Sequence, residues 1–502
     1  MTDNTIVAPI IEHLFTAILL LFFWKKVKTQ RVISVIGNLM VLNSSSGLFM
    51  KVWNEGIHTM QAGNWQAPFG ITLVADVFSS TMVFLTSIVG LAIAVFSVVG
   101  IGKPRTQYGY FPLFHFLLMG LNGAFLTGDI FNLYVWFEVI IISSFVLITL
   151  GGRKPQLEGA IKYVTLNLLA SVIFLTAIGI LYGLTGTLNM ADLSLKVALI
   201  QNKGLVNITS FLFFVGFGIK SAVFPLYFWL PSSYHTPPSA IAASFGGLLT
   251  KVGVYALLRV YTLIFVPDEF TRNMLITVAV LTMITGAFGA LIKDDIRRMF
   301  SYLIVCHIGF MIAGLGMYTK ASLIGAIFYL FHDIIVKTNM FLVSGIIYKI
   351  KGTVHLEKLG GLYDEYPKLS LVMSLVLFSL VGVPPLSGFW PKLYLFNAAF
   401  DISSYVLIGS IILASFITLF VIGRMWAEVF WKDQPETGPG RVMQFDKISI
   451  YKQFLLTAPV IFLTFISLYI GFGAGNIIAL SERIVGEMLD VTPYIEAVLG
   501  KQ

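Results

Sequence analysis

Lysines and carboxylates stand in the middle of oily stretches of this sequence. Lys220, Lys251, Lys337 and Lys392 each lie deep in a segment dominated by Leu, Ile, Val and Phe, and Lys162 lies near the start of another. Their acidic counterparts are Glu138, in "GDIFNLYVWFEVIIISS", and Asp333, in "FHDIIVKTNMF", with His332 beside it. A charge at the centre of a membrane helix costs about 2.5–3.5 kcal/mol on insertion scales, so such residues pair with one another, face a water-filled path or mark an ion route. The chemistry open to this set is proton transfer. Burial disfavours the charged form of either group, and an opposite charge nearby restores it. If a Glu–Lys pair on adjacent helices parts, the lysine can lose its proton and the glutamate can gain one. A row of lysines with neutral relays between them then passes a proton sideways.

Plainer readings apply to several of these residues. Lys162 can snorkel to the membrane surface. Asp333 and Lys337 are four apart on one helix, where opposite charges support each other locally, so that pair reads equally as a structural clip. Glu138, Lys220, Lys251 and Lys392 have no partner nearby in sequence, and a transport role is the expectation for them. His115, in "LFHFLL", reads as a packed histidine at a helix interface. His307, next to Cys306, could extend the polar axis. His235, in "PSSYHTPPS", could help water enter. Asp129 opens the segment that carries Glu138 and reads as an interfacial group.

The elements that must position these groups are membrane helices. Apolar residues make up 57% of the 502, and charged ones 12%, against about 25% in soluble domains. Fourteen spans are expected, the first starting near Ile6 and the last near Phe454, in an all-α integral membrane protein. Two of them carry interior prolines, which kink helices and free backbone carbonyls. The seventh span has "FPLYFWLP", with Pro225 and Pro231, just after Lys220. The twelfth has "LVGVPPLSGFWPKLYLF", with Pro384, Pro385, Gly388 and Pro391 around Lys392. Helices broken at paired positions point to a transporter's ion site. Five spans separate the two breaks, which places them in opposite orientations and suggests two inverted five-helix repeats. The expected divisions are 1–108, with three helices, the repeats 109–266 and 267–431, and 432–502, with a loop, the last helix and a short tail.

Most of the 33 Lys and Arg fall in alternate loops, including "KKVKTQR", "GKPRTQ", "KDDIRR" and the loop that contains "DQPETGPGR". Positive charge marks the cytoplasmic side, so both termini are expected outside. The net charge of +8 is thereby explained without a nucleic-acid partner. Asp3 and Glu12 with no basic run give no expectation of a cleaved signal. The lone Cys306 excludes an internal disulfide and a site built from several cysteines. No phosphate loop and no metal-spaced histidine pair is present, so no cofactor or metal is expected. No stretch between spans is long enough to fold as a catalytic domain.

"GDIFNLYVWFEV", "GIKSAVFPLYFWLPSSYHTPPSAIAASFGGLLTKVGVYALLRVY" and "PPLSGFWPK" resemble the proton-translocating antiporter-like family. That family includes membrane subunits of respiratory complex I and of multisubunit Mrp Na⁺/H⁺ antiporters, and the details are most similar to the D-type Mrp branch. The resemblance runs from about the third span to the thirteenth. It implies a proton path through Glu138, Lys220, Lys251, His332, Lys337 and Lys392, with Glu138 and Lys220 as the coupling pair and Lys392 as the terminal group. Asp333, His307 and His235 are secondary members. It also implies partner subunits, among them a larger A-type homologue and small membrane subunits, in a bacterial or archaeal cell membrane. M-type complex I subunits place a glutamate where Lys392 stands, and the L-type and A-type subunits are longer. A proton-pumping subunit of complex I or of a membrane-bound hydrogenase is the alternative.

Overall fold

Hydropathy dictates most of the architecture. The computed structural model describes residues 4–435, 445 and 448–500. Asp3 and, within the last charged loop, residues 436–444 and 446–447 lie outside the described residues. The protein is mostly helical. Among the described residues, eleven helices are long and apolar enough to cross a membrane, and three shorter ones are also apolar.

In chain order the principal helices begin with α1 Ala8–Phe22, α2 Val27–Glu55, α3 Val77–Gly100, α4 Tyr110–Leu126, α5 Ile130–Thr149 and α6 Lys154–Thr185. Next come α7 Lys203–Ser221, α8 Ser239–Leu263, α9 Glu269–Leu291, α10 Ile296–Met317 and α11 Lys320–Lys351. The series ends with α12 Pro367–Val381, α13 Phe389–Asp401, α14 Tyr405–Trp431, α15 Ile450–Phe472, α16 Ala474–Leu489 and α17 Thr492–Leu499. A hairpin of β1 His58–Gln61 and β2 Thr72–Ala75, in antiparallel register His58 opposite Ala75, fills the link between α2 and α3.

The centre of the bundle is α8, α10 and α11. The apolar windows of α8 and α11 are wholly buried and that of α10 nearly so, whereas α6 and α9 bury less than half of theirs. Lys251, His307, Asp333 and Lys337 therefore sit on the helices with least access to lipid. Glycine sets how closely the centre packs. A methyl at Gly247 of α8 would collide with Thr338 Oγ1 of α11, and one at Gly246 would meet the Phe341 ring at 2.5 Å. The same stretch, Phe245–Leu249, forms one wide π turn, a feature often found at functional sites.

Two helices stop in mid-course. After α7 the chain turns at Ala222 (φ 61°) and becomes helical again at Trp229–Ser233. After α12 it turns at Gly382 (φ 86°) and resumes at α13. The two gaps, 222–228 and 382–388, are of equal length. Each begins with a residue in the left-handed region. Glycine adopts that conformation readily, whereas alanine carries a steric penalty there.

Candidate functional site

The densest group of buried charges lies between α8, α10 and α11. Asp333 is its hub. Lys251 Nζ lies 2.7 Å from Asp333 Oδ2, and all three side chains of the Lys251–Asp333–His307 set are fully buried. His307 Nδ1 bonds to Asp333 Oδ1 at 3.0 Å. When Asp333 is ionised it only accepts hydrogen bonds, so His307 then donates from Nδ1. Lys251 also donates to the Gly246 carbonyl at 2.6 Å, within the wide turn. The glycine-lined contact of α8 with α11 is what brings Lys251 to Asp333.

Lys337, one turn beyond Asp333, does not form the local clip that its i,i+4 spacing allows. Its Nζ has no hydrogen-bond partner among the described residues, although the charges of Asp333, Lys251 and Lys392 act on it. Asp333 has turned across the interface to Lys251 and His307 instead. Those two partners come from other helices, and together they outcompete a neighbour on its own helix.

The second helix break supplies the next groups. His332 Nδ1 bonds Ser387 Oγ at 2.8 Å, and Ser387 meets Ser467 Oγ of α15 at 2.9 Å. Gly388 leaves room for this contact, because a Cβ there would press on the His332 ring at 3.1 Å and collide with the Ser379 carbonyl. Lys392 donates at 2.7 Å to the carbonyl of Val381, the last residue of α12. Ending a helix frees such carbonyls, and this one holds the lysine. The ammonium also lies 5.4 Å from the centre of the Phe310 ring.

The first break is built differently. The Ile219 carbonyl accepts from both Ala222 N–H and Trp229 Nε1 at 3.0 Å, and Phe224 N–H is satisfied by Thr282 Oγ1. Lys220 makes one long hydrogen bond, 3.3 Å to Ser171 Oγ of α6, and lies 4.7 Å from the centre of the Phe137 ring. Glu138 is near enough for its charge to act on Lys220, but no ion pair joins them among the described residues, and Glu138 Oε1 has no hydrogen-bond partner there. A cavity of ≈ 20 Å³ lies beside Lys220, bounded by Tyr163, Asn167, Tyr234 and, from α8, Leu249 and Val252. That is room for about one water.

The candidate residues thus fall into two groups. Glu138 and Lys220 form one. Lys251, Asp333, His307, Lys337, His332 and Lys392 form the other, in which each charge is felt by its neighbours. His235 stands apart from both, in the link between the first break and α8. It bonds the Pro231 carbonyl at 2.8 Å, and burial, helped by the charge of Arg298, pushes its pKa down to about 4. It lines a polar cleft with Lys162, Lys293 and Arg298. Lys162 pairs with Glu158 at 2.8 Å, and both are largely exposed. Asp129 caps α5 by accepting from Asn132 N–H.

Sequence reasoning missed three features. Arg259, not singled out from the sequence, is buried within α8 and paired with Asp76 at 2.6 Å. It sits eight residues after Lys251, with Tyr255 midway, so one face of α8 carries polar groups from the central cluster to its end. The period-four spacing of Lys251, Tyr255 and Arg259 is the sequence signal that could have shown this. Glu487, on the amphipathic α16, accepts from Val77 N–H at 3.2 Å; burial and then the nearby Asp76 push its pKa up to about 7. His115 is packed as expected, but it also bonds His13 Nδ1 and Ser34 Oγ, each at 3.0 Å. Partners 102 and 81 residues away leave no local signal.

The family described as NADH:quinone oxidoreductase/Mrp antiporter, TM, matches residues 127–418. The chain is 43% identical over 501 residues to the D-type subunit of the Na(+)/H(+) antiporter of Alkalihalophilus pseudofirmus, with 99% of each chain covered. It is 39% identical over 498 residues to the protein of the same name in Bacillus subtilis, again with 99% of each covered. Among solved structures, a chain of the Mrp complex from a Dietzia species superposes with a TM-score of 0.90 at 27% identity, covering 99% of both chains. A chain of respiratory complex I from Thermus thermophilus shares the fold, with a TM-score of 0.80 at 22% identity over 97% of this chain and 99% of that one.

Proposed function

The chain belongs to the NADH:quinone oxidoreductase/Mrp antiporter transmembrane family, and from that premise we propose that it is the proton-translocating subunit of a multisubunit Na⁺/H⁺ antiporter. The observation that carries the mechanism is the division of the buried charges into a loosely held Glu138–Lys220 group and a tightly linked group centred on Asp333. Near-complete matches to two proteins named as D-type subunits of Na(+)/H(+) antiporters favour this reading over a redox-driven pump.

In this mechanism Lys220 changes partner. It moves between Glu138 and the small cavity that faces α8, and each move changes which of the two groups holds a proton. Lys251, with Asp333 and His307, receives the proton at the centre. His332 and Lys337 carry it on to Lys392, the group nearest the exit. Protons driven inward supply about 2.3 kcal/mol per charge for each 100 mV, which offsets Na⁺ extrusion.

The same proposal extends to topology and assembly. The eleven long helices and three short apolar ones make fourteen spans, with both termini outside. Helices 4–8 and 9–13, as spans, form inverted repeats; the equal gaps at 222–228 and 382–388 support this. The complex includes a larger A-type homologue and small membrane subunits in a bacterial or archaeal cell membrane. Transport by a protein of this kind is secondary and involves no covalent catalysis.

The test is chemical. Everted vesicles carrying this chain with its partner subunits should dissipate a proton gradient when Na⁺ is added. Glu138→Asp keeps a carboxylate and should retain part of the activity. Glu138→Gln should fall to background. Equal activity of the two variants would show that proton exchange at this position is not needed.

A further inference from the structure

At the end of the bundle opposite the hairpin, a cleft of ≈ 240 Å³ is lined by Arg105, Arg153, Arg297 and Lys349, and its lining contains no Asp or Glu. These four cations come from four separate places: the short helix Lys103–Gln107, the link before α6, the start of α10 and the end of α11. None of the four makes a salt bridge to a carboxylate among the described residues. Arg297 is held in place by neutral acceptors instead. It donates to Ser239 Oγ at 2.6 Å and to Ser344 Oγ at 3.3 Å, and its guanidinium lies 5.4 Å from the centre of the Tyr348 ring. Arg105 donates to the Leu150 carbonyl at 3.0 Å, and Lys349 to the Val99 carbonyl at 3.3 Å. Burial and then the charge of Arg153 disfavour the charge on Arg105. Asp295, which caps α10, is the nearby acidic charge felt by Arg297. The first residue of α8, Ser239, also faces the cleft, so the positive end of that helix adds to the field.

We propose that this cleft binds a phosphate-bearing anion that bridges the ends of α8, α10 and α11. Guanidinium groups match phosphate oxygens in a two-pronged geometry, and clusters of basic residues between membrane helices at the cytoplasmic surface suit anionic headgroups. Such a ligand would join the helix that carries Lys251 to those that carry His307 and Asp333, through their ends rather than through the buried cluster. The shared chemistry is an anionic phosphate group, supplied by the headgroup of an acidic phospholipid or by free phosphate. The inference does not depend on the direction or coupling of transport.

The assembled complex containing this chain, purified in a neutral detergent, can be titrated with dioctanoyl phosphatidylglycerol, dioctanoyl phosphatidylcholine or inorganic phosphate while its melting midpoint is followed. The expected result is an upward shift with an anionic probe and none with phosphatidylcholine. A shift with phosphatidylglycerol alone identifies a lipid site, and a shift with inorganic phosphate identifies a free-anion site. Arg153→Gln/Lys349→Gln removes two charges and leaves the bonds of Arg297 intact. It should weaken binding by roughly thirtyfold, at the usual worth of a basic residue near an anionic surface. If that variant does not assemble, Arg153→Gln alone, at an exposed position, should weaken binding by about fivefold. No shift with either anion, or an equal shift in wild type and variant, overturns the proposal.

Discussion

The two helix breaks share one backbone plan and use it to opposite ends. Each opens at a left-handed residue, Ala222 or Gly382, and each has a buried lysine close by. At the second break the freed Val381 carbonyl holds Lys392 at 2.7 Å. At the first, the Ile219 carbonyl is taken by Ala222 N–H and Trp229, and Lys220 is left with a single bond of 3.3 Å among the described residues. The same device therefore fixes one lysine and releases the other. A fixed lysine suits an end point, and a loosely tied one suits a switch. The position of each lysine relative to its break accounts for the difference. Lys220 precedes the turn and bonds across to α6, whereas Lys392 follows the turn and reaches back to the broken end.

The largest effect is expected at the hub of the second group. Removing one member of a buried ion pair leaves the other uncompensated, at a cost of about 3–5 kcal/mol. Asp333→Asn should lower the melting midpoint of the purified complex and abolish transport. Adding Lys251→Met to that variant removes the stranded charge and should recover most of the stability while transport stays absent. Recovery of transport along with stability would make the cluster purely structural.

A smaller effect separates the two breaks themselves. Lys392→Met leaves the Val381 carbonyl buried without its donor, which costs about 1–3 kcal/mol. Lys220→Met strands no comparable acceptor and removes a weakly compensated charge. The melting midpoint should therefore fall for Lys392→Met and hold or rise for Lys220→Met. Equal losses would erase the distinction between a fixed and a released lysine.

How much of this was legible in the sequence depends on whether the signal was local. The membrane class followed from composition, and the helix interruptions after Ser221 and Val381 lie where Pro225, Pro384 and Pro385 announced trouble for a continuous helix. The buried charges stood out because each interrupts an apolar run. Their partners did not. Lys251 and Asp333 are far apart in the chain, and the spacing of Asp333 to Lys337 pointed to a pair that the packing of α8 on α11 displaces. Gly246 and Gly247 carry no meaning on their own in the sequence; their role as a close helix contact needs the facing Thr338 and Phe341. Arg259 was not singled out because its partner, Asp76, is far away in the chain, and Glu487 was hidden by an ordinary amphipathic pattern.

The smallest predicted effect concerns Glu487, at the opposite end of α8 from the cationic cleft. Its carboxyl is held near 7 against an ordinary 4.5, through burial and Asp76. In the unfolded chain it ionises near 4.5, so between that pH and about 7 the unfolded state releases a proton that the folded state keeps. Folding loses stability across that window, and the loss persists above it. Glu487→Gln should therefore raise the melting midpoint relative to wild type at about pH 8 and leave it unchanged near pH 4. The same difference at both values would mean that the carboxyl does not titrate there.

In the proposed mechanism everything turns on Lys220 acting as a charge that changes partner. Its most direct test is Na⁺-dependent ΔpH dissipation in everted vesicles from an antiporter-deficient host, comparing wild type with Lys220→Ala after confirming that both complexes assemble equally. The prediction is full activity in the first and background activity in the second. Normal activity in a fully assembled Lys220→Ala complex would contradict it and leave Lys220 a structural residue beside a helix break.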